Sequence, residues 1–315
     1  MTTPGTDAER AFRRALTRAA PALARPLPWI GHRDPWAVLV SEVMLQQTST
    51  SRVVAPWTAF MDRFATPADC ARAPLAEVLR LWGGLGYPRR ARSLHAAARA
   101  IRDDHGGVVP SSIEELRRLP GVGDYTAAAV ASFAFGQRVA VLDTNVGRVL
   151  ARAVSNATLT PAQARAVASR LLPRRGSAAF NQAMIDLGAT VCRSRPRCDD
   201  CPVARACRWR REGGEDPATR SAGVSRRQKP YEGSDRQVRG RVLAHLRAAP
   251  SDLASLARAL DDVAEARLRA VLGGLDADGL VAWSATGVAL EGDAPDSERT
   301  VRGQAPDGVA IDVAR

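Results

Sequence analysis

Two carboxylic acids in unlike surroundings are the first residues in this chain equipped for chemistry. Glu42 stands in VLVSEVMLQQT, about two turns into a helix whose other residues are mainly apolar. Val38, Leu39, Leu45 and Gln46 share its face at three- and four-residue spacing. A carboxyl group there is expected to be desolvated and its pKa raised, which suits a general acid near neutral pH. The competing reading is an ion pair with one of the many arginines. Asp143 ends the apolar run Val139–Leu142 and precedes Thr144-Asn145-Val146. Taken alone it is most simply a helix N-cap; the functional reading is a carboxylate at the lip of a cleft. Two such acids can break a glycosidic bond, one protonating the leaving group and the other steadying positive charge on the sugar. A nucleotide inside a duplex must first be flipped out, and side chains must fill the gap. Gln46, Gln47 and Tyr87 (in GLGYPRR) suit that task; otherwise they are solvated amides and a turn aromatic.

Four cysteines stand together as Cys192-x5-Cys198-x2-Cys201-x5-Cys207, in VCRSRPRCDDCPVARAC. Sets of four thiolates select zinc or an iron–sulfur cluster. Zinc ribbons use two separated Cys-x2-Cys pairs, whereas here one pair is flanked by two single cysteines, which favours a [4Fe-4S] cluster. A disulfide is disfavoured because no signal peptide pattern precedes the chain and Cys70 is the one other cysteine.

These residues need a scaffold, and the first two-thirds of the chain reads as helix after helix. Asp34-Pro35 and Thr66-Pro67 are helix starts, with a capping residue and Pro at the first helical position. Helices are expected over 8–20, 36–47, 75–82, 89–104, from a capping box at Ser112–Glu115 to Pro120, then over 125–135, 145–154, 161–172 and 178–190. Leu119-Pro-Gly-Val-Gly123 joins two of them. Gly121 and Gly123 allow a tight turn that exposes backbone N–H groups to a phosphate, the pattern of a helix-hairpin-helix; the plain alternative is an ordinary helix–helix turn. After a polar linker, helices over 235–248, 253–260 and 263–276 precede two short apolar pieces, 280–284 and 288–290, as in a winged helix.

The chain has 315 residues and a net charge of +12. That excess favours a polyanion, most simply nucleic acid. Compositional bias explains why Lys229 is the one lysine among so many arginines, but not the positive surplus. No apolar run approaches a membrane span. A cytoplasmic location with reduced thiols is expected.

Taken in order, LPW (Leu27–Trp29), SEVMLQQT (Ser41–Thr48), LWGGLGY (Leu81–Tyr87), LPGVGDYTAAA (Leu119–Ala129), LDTNVGRVL (Leu142–Leu150), NQAMIDLGA (Asn181–Ala189) and the cysteine loop resemble the MutY family of adenine DNA glycosylases, relatives of endonuclease III. The resemblance covers roughly residues 10–210 and is to an actinobacterial-like form. It implies that Glu42 protonates adenine N7, that Asp143 stabilises the sugar cation or a covalent sugar intermediate, and that Asn145 orients the carboxylates. It places Tyr125 at the catalytic site, Trp29 and Gln182 in the adenine pocket, and Gln46, Gln47, Tyr87, Gly121 and Gly123 against DNA. Cys192, Cys198, Cys201 and Cys207 would hold the [4Fe-4S] cluster. The partner implied is double-stranded DNA with A:8-oxoguanine or A:G mispairs, bound by a monomer in a bacterial nucleoid. Tyr125 stands where endonuclease III-like enzymes carry a nucleophilic lysine, so a monofunctional hydrolase is expected. A non-catalytic damage sensor of the same fold is the alternative.

Three local features depart from the family pattern: the first cysteine spacing is one residue tighter, Ile30 follows LPW, and Pro88 follows Tyr87. The family's Nudix-like β domain is not legible in the last third. The fold expected is all-α. An N-terminal arm (1–29) precedes a six-helix barrel with the hairpin (30–136) and a cluster domain (137–212). A linker (213–233), a winged-helix-like module (234–290) and a disordered tail (291–315) complete it.

Overall fold

A computed structural model describes residues 6–221, 230–284 and 287–293. Lys229 and the tail beyond residue 293 lie outside the described residues. In chain order the helices are α1 (Asp7–Leu23), α2 (Pro35–Leu45), α3 (Thr50–Arg63), α4 (Pro67–Arg72), α5 (Leu75–Trp82), α6 (Arg89–Asp104), α7 (Ile113–Arg118), α8 (Asp124–Phe133), α9 (Thr144–Val149), α10 (Pro161–Leu171), α11 (Ser177–Thr190), α12 (Arg208–Glu212), α13 (Asp235–Ala248), α14 (Leu253–Ala259) and α15 (Glu265–Ala277). One antiparallel pair follows, β1 (Val281–Ser284) and β2 (Gly287–Leu290), with Val281 opposite Leu290. The fold is therefore helical with a small C-terminal strand pair, as expected. No described helix is long and apolar enough to cross a membrane.

Local chemistry sets most helix starts. Thr6 with Glu9, Thr66 with Asp69 and Thr160 with Gln163 form reciprocal capping boxes that satisfy orphan N–H groups, and the last two precede Pro at the first helical position. Ser112 Oγ accepts from Glu115 N, half of the expected box. Asp34 accepts from Trp36 N and Ala37 N, capping α2. Helix α3 was not legible, because Pro56 interrupts its pattern and Ser49 makes no side-chain cap. The helix expected over 145–154 stops at Val149, and Leu150–Ser155 forms a π-helical turn ending at left-handed Asn156.

Contacts gather the chain into two units that interleave along the sequence. The first has bounds Met1–Leu39, Ser111–Arg117 and Val122–Arg227. Its core joins Phe12 and Leu16 of α1 to Val146 and Val149 of α9 and to Phe180, Met184 and Leu187 of α11. Arg25 Nε reaches the buried Asp186 at 2.6 Å, and Arg170 reaches Glu9 at 2.9 Å. Residues 217–220, inside the stretch expected to be a linker, form a 3-10 turn with Pro217 and Ala218 buried.

The second unit has bounds Val40–Pro110, Arg118–Gly121 and Gln228–Arg315. Helix α6 packs on α4 and α5; α13 packs on α15, α14 and β2, and both α13 and β2 touch α5. Ser251 bridges Val288, giving the strand pair a short third partner. Asp278, 6% exposed, ties Arg239 of α13 to Arg89 of α6, and its carbonyl accepts from Arg92 at 2.7 Å.

Candidate active site

Helix α2 is apolar almost all round: Trp36, Ala37, Val38, Leu39, Val40, Val43 and Met44 are all buried. Glu42 is 6% exposed within it, and its Oε2 makes no contact with solvent. A side chain usually found in water is thus held at a fixed depth by the helix itself.

The end of α2 is fastened to the turn after α5 by one arginine. Arg90 Nη1 donates to Val43 O at 2.8 Å and Met44 O at 2.9 Å, while Nη2 donates to Thr48 Oγ1 and Gly86 O, each at 3.0 Å. The fork satisfies carbonyls that a helix end leaves open. The same guanidinium lies 5.2 Å from the Trp82 ring centroid and 5.6 Å from that of Tyr87. Burial lowers its pKa to about 10, leaving it charged at neutral pH. Gln47 (φ 55°) and Tyr87 (φ 49°) are two of the three described non-glycine residues with left-handed backbone, beside Asn156. Such strain persists only where surrounding contacts impose it. Gln46, Gln47 and Tyr87 line one cleft, with Tyr87 37% exposed. Arg90 was invisible in the sequence because its partners are backbone oxygens.

Asp143 is the N-cap of α9, so the cap reading holds: its Oδ1 accepts from Val146 N at 2.7 Å. Its Oδ2 accepts from Asn145 Nδ2, also at 2.7 Å. Asn145 Oδ1 in turn accepts from Arg148 Nη2 at 2.7 Å. Arg148 goes on to Gly188 O at 2.9 Å and Cys192 O at 3.2 Å. Helix α11 can approach this corner because residue 188 is glycine; a Cβ there would lie 2.5 Å from Asn145 O. Burial raises the Asp143 pKa above the usual carboxylate value, opposed by the Val146 N–H, the Asn145 amide and the Arg148 charge.

In the hairpin, Gly121 has φ 79°, and a Cβ would meet Ser93 Cβ at 2.6 Å. Gly123 is the N-cap of α8, with extended backbone and open space around it. Tyr125 lies half-buried in the first turn of α8. Trp29 is buried, and Gln182 Nε2 donates to Asp186 Oδ1 at 3.0 Å, beside Arg25.

Cys192, Cys198, Cys201 and Cys207 line one pocket with Leu187, Val191 and Val203. Burial pushes the thiols of Cys192, Cys201 and Cys207 up, Cys201 to about 11. Thiolates there need a bound cation at neutral pH. Among the described residues no three His, Cys, Asp or Glu side chains are gathered as one metal ion requires. Arg152, 1% exposed, is carried behind the loop by the π-helical turn. It donates to Arg193 O at 2.6 Å and Ser194 O at 3.1 Å, touches Cys192 Sγ at 3.6 Å, and forms a forked pair with Asp216 at 2.8 and 2.5 Å. Neither Arg148 nor Arg152 stood out among the arginines of the sequence.

Residues 40–174 match the family described as HhH-GPD superfamily base excision DNA repair protein. The chain is 51% identical over 232 residues to an adenine DNA glycosylase of Mycobacterium tuberculosis, covering 71% of this chain and 75% of that protein. It is 42% identical over 230 residues to an adenine DNA glycosylase of Homo sapiens, covering 68% of this chain and 42% of that one. Among solved structures it resembles a thermostable thymine-DNA glycosylase, with TM-score 0.60, 28% identity, and coverage of 65% of this chain and 97% of that chain. It also resembles endonuclease III trapped covalently on DNA, with TM-score 0.56, 26% identity, and coverage of 64% and 97%. On the strength of the mycobacterial match, the chain belongs to the adenine DNA glycosylase family, with the helix-hairpin-helix fold.

Proposed function

We propose that this chain is a monofunctional adenine DNA glycosylase that removes adenine mispaired with 8-oxoguanine or guanine. The observation that carries the reading is Asp143, a desolvated carboxylate fixed by Val146 N–H and Asn145 in a chain 51% identical to an adenine DNA glycosylase. A non-catalytic damage sensor is not favoured by that kinship.

The chemistry follows from the two acids. Gln46, Gln47 and Tyr87 fill the space of an extruded adenine, and the amides around Gly121 and Gly123 hold a phosphate of the backbone. Trp29, Tyr125 and Gln182 enclose the base. Glu42 passes its proton to N7, so the base leaves as a neutral purine when the C1′–N9 bond breaks. Asp143, ionised, stabilises the positive sugar or bonds to C1′, and water completes the hydrolysis. Asn145 keeps Asp143 aimed. With Tyr125 at the hairpin, no amine is there to form a Schiff base.

A [4Fe-4S] cluster fits the donor set. Four thiolates around one zinc must stand about 3.8 Å apart for Zn–S bonds of about 2.3 Å, whereas a cluster spreads its thiolates over four irons. When bound, such a cluster would cross-link the 192–207 loop through Cys192, Cys198, Cys201 and Cys207, and the exposed Arg193, Arg195 and Arg197 on that loop are available to phosphates. The protein acts as a monomer in the bacterial nucleoid.

The test is release of free adenine from a duplex with A opposite 8-oxoguanine. Wild type releases it, while Glu42→Gln binds the duplex and is slower by about 10²–10⁴-fold. Full activity in that variant would remove Glu42 as the acid.

A further inference from the structure

Residues 136–143, which deliver Asp143 to α9, form neither helix nor strand, and the one sheet among the described residues is the β1–β2 pair. Their buried backbone groups therefore need partners from side chains. Asn181 of α11, 3% exposed, supplies them. Its Nδ2 donates to Val139 O at 2.8 Å, and its Oδ1 accepts from Val141 N at 3.4 Å. A carbonyl and the N–H two residues on are the pair that a neighbouring parallel strand would take, so one carboxamide stands in for a strand. The second Nδ2 hydrogen goes to Ser132 Oγ at 2.9 Å, inside α8. Three elements thus meet on one buried amide: α8 with Tyr125, the segment ending at Asp143, and α11 with Gln182.

This clasp does something that the bonds aiming Asp143 do not. Val146 N–H and the Asn145 amide move with the carboxylate, so they fix its direction on the corner but not where the corner stands. Asn181 grips the chain two residues before Asp143. Gly188, two turns further along the same face of α11, admits Asn145 two residues after it. In an extended chain, a slip of one residue past the clasp carries Asp143 by about 3.3 Å and turns its side chain to the other face. Misplacing a reacting group by about 1 Å can cost about 10²-fold in rate.

We propose that Asn181 is a positioning residue for the glycosylase reaction, setting the register of residues 139–143 and so the place of Asp143 against the sugar. This rests on the reading of Asp143 as the carboxylate that steadies the sugar, whereas the clasp itself does not.

The experiment uses the full chain and follows single-turnover adenine release from a duplex with A opposite 8-oxoguanine, over a range of pH. At saturating enzyme the rate constant is that of the folded molecules, so a loss of stability alone leaves it unchanged. Asn181→Leu, of similar size but without the amide, should release adenine about 10²-fold more slowly. It should bind a duplex carrying uncleavable 2′-fluoro-2′-deoxyadenosine opposite 8-oxoguanine with wild-type affinity, and amide exchange across residues 139–143 should quicken. Asn181→Asp separates hydrogen bonding from shape, because its buried carboxyl can donate to Val139 O only when protonated. Its rate relative to wild type at the same pH should recover as pH falls, while the deficit of Asn181→Leu stays constant. A wild-type rate constant in Asn181→Leu would overturn the proposal, and so would a deficit in Asn181→Asp that acid does not reduce. Should Asn181→Leu not fold, Asn181→Asp decides alone, by its recovery in acid or the lack of it. If wild type itself released no adenine, the catalytic reading would fail, and exchange across 139–143 would still decide the clasp: faster exchange in Asn181→Leu keeps it, and unchanged exchange removes it.

Discussion

The Asp143 corner and the wedge, the Gln47 and Tyr87 turns proposed to enter DNA, are built in opposite ways. Asp143 is fixed by its own neighbours, Val146 N–H and the Asn145 amide, within three residues along the chain. The wedge is held by distant groups: Arg90 ties it to the end of α2, and Arg236, 149 residues further along, ties it to α13. A site made of local hydrogen bonds survives most remote changes. A strained turn lasts only as long as the contacts that hold it. The proposed function thus puts the chemistry on the rigid device and the DNA distortion on the adjustable one.

The largest expected effect sharpens the first half of that contrast. Asn caps helices as well as Asp, so Asp143→Asn should keep α9 intact while single-turnover adenine release falls about 10³-fold. Stability should move the other way. The raised pKa means the folded chain holds the Asp143 proton more tightly than the unfolded one, a stabilisation present below pH 3.8 and lost as pH rises through the folded value. The variant should therefore match wild type in strong acid and exceed it at neutral pH, as denaturant titrations at several pH values would reveal. A variant less stable at neutral pH would contradict the burial argument. In wild type the acid limb of the rate profile should lie above the ordinary carboxylate range.

Next comes the cysteine loop. Arg152→Met should cost about 3 kcal/mol, because it strands Asp216 and several carbonyls. Iron content and absorbance near ~400 nm should fall with it if the loop holds the cluster. Unchanged colour and stability would show that the arginine is dispensable. The smallest of the three effects is at the wedge. Arg90→Lys, whose point charge cannot match a forked set of carbonyls, should cost about 2 kcal/mol. It should weaken binding to the mispaired duplex while leaving the Asp143 corner untouched. Wild-type affinity in that variant would mean the wedge does not depend on Arg90.

Much of the fold was legible where a side chain closes its own turn. Thr66-Pro67 and Asp34-Pro35 announced their helices, and the final hairpin appeared as two apolar pieces. Helix α3 and the π-helical turn were not, since one contains Pro56 and the other differs from an α-helix only in bonding i to i+5, which residue types do not announce. At the site, Glu42, Asp143 and the cysteines stand out by residue type and spacing. Arg90, Arg148 and Arg152 do not, because they serve carbonyl oxygens that every residue carries. The docking of the C-terminal module through Asp278 was equally hidden, as its arginine partners lie 189 and 39 residues away.

The central claim is that Glu42 hands a proton to N7 of an adenine whose sugar Asp143 then steadies. The most direct measurement is single-turnover base release from matched duplexes carrying adenine or 7-deazaadenine opposite 8-oxoguanine. The account predicts comparable binding of both and release of adenine alone. Equal release of 7-deazaadenine, which has no N7 to protonate, would contradict it.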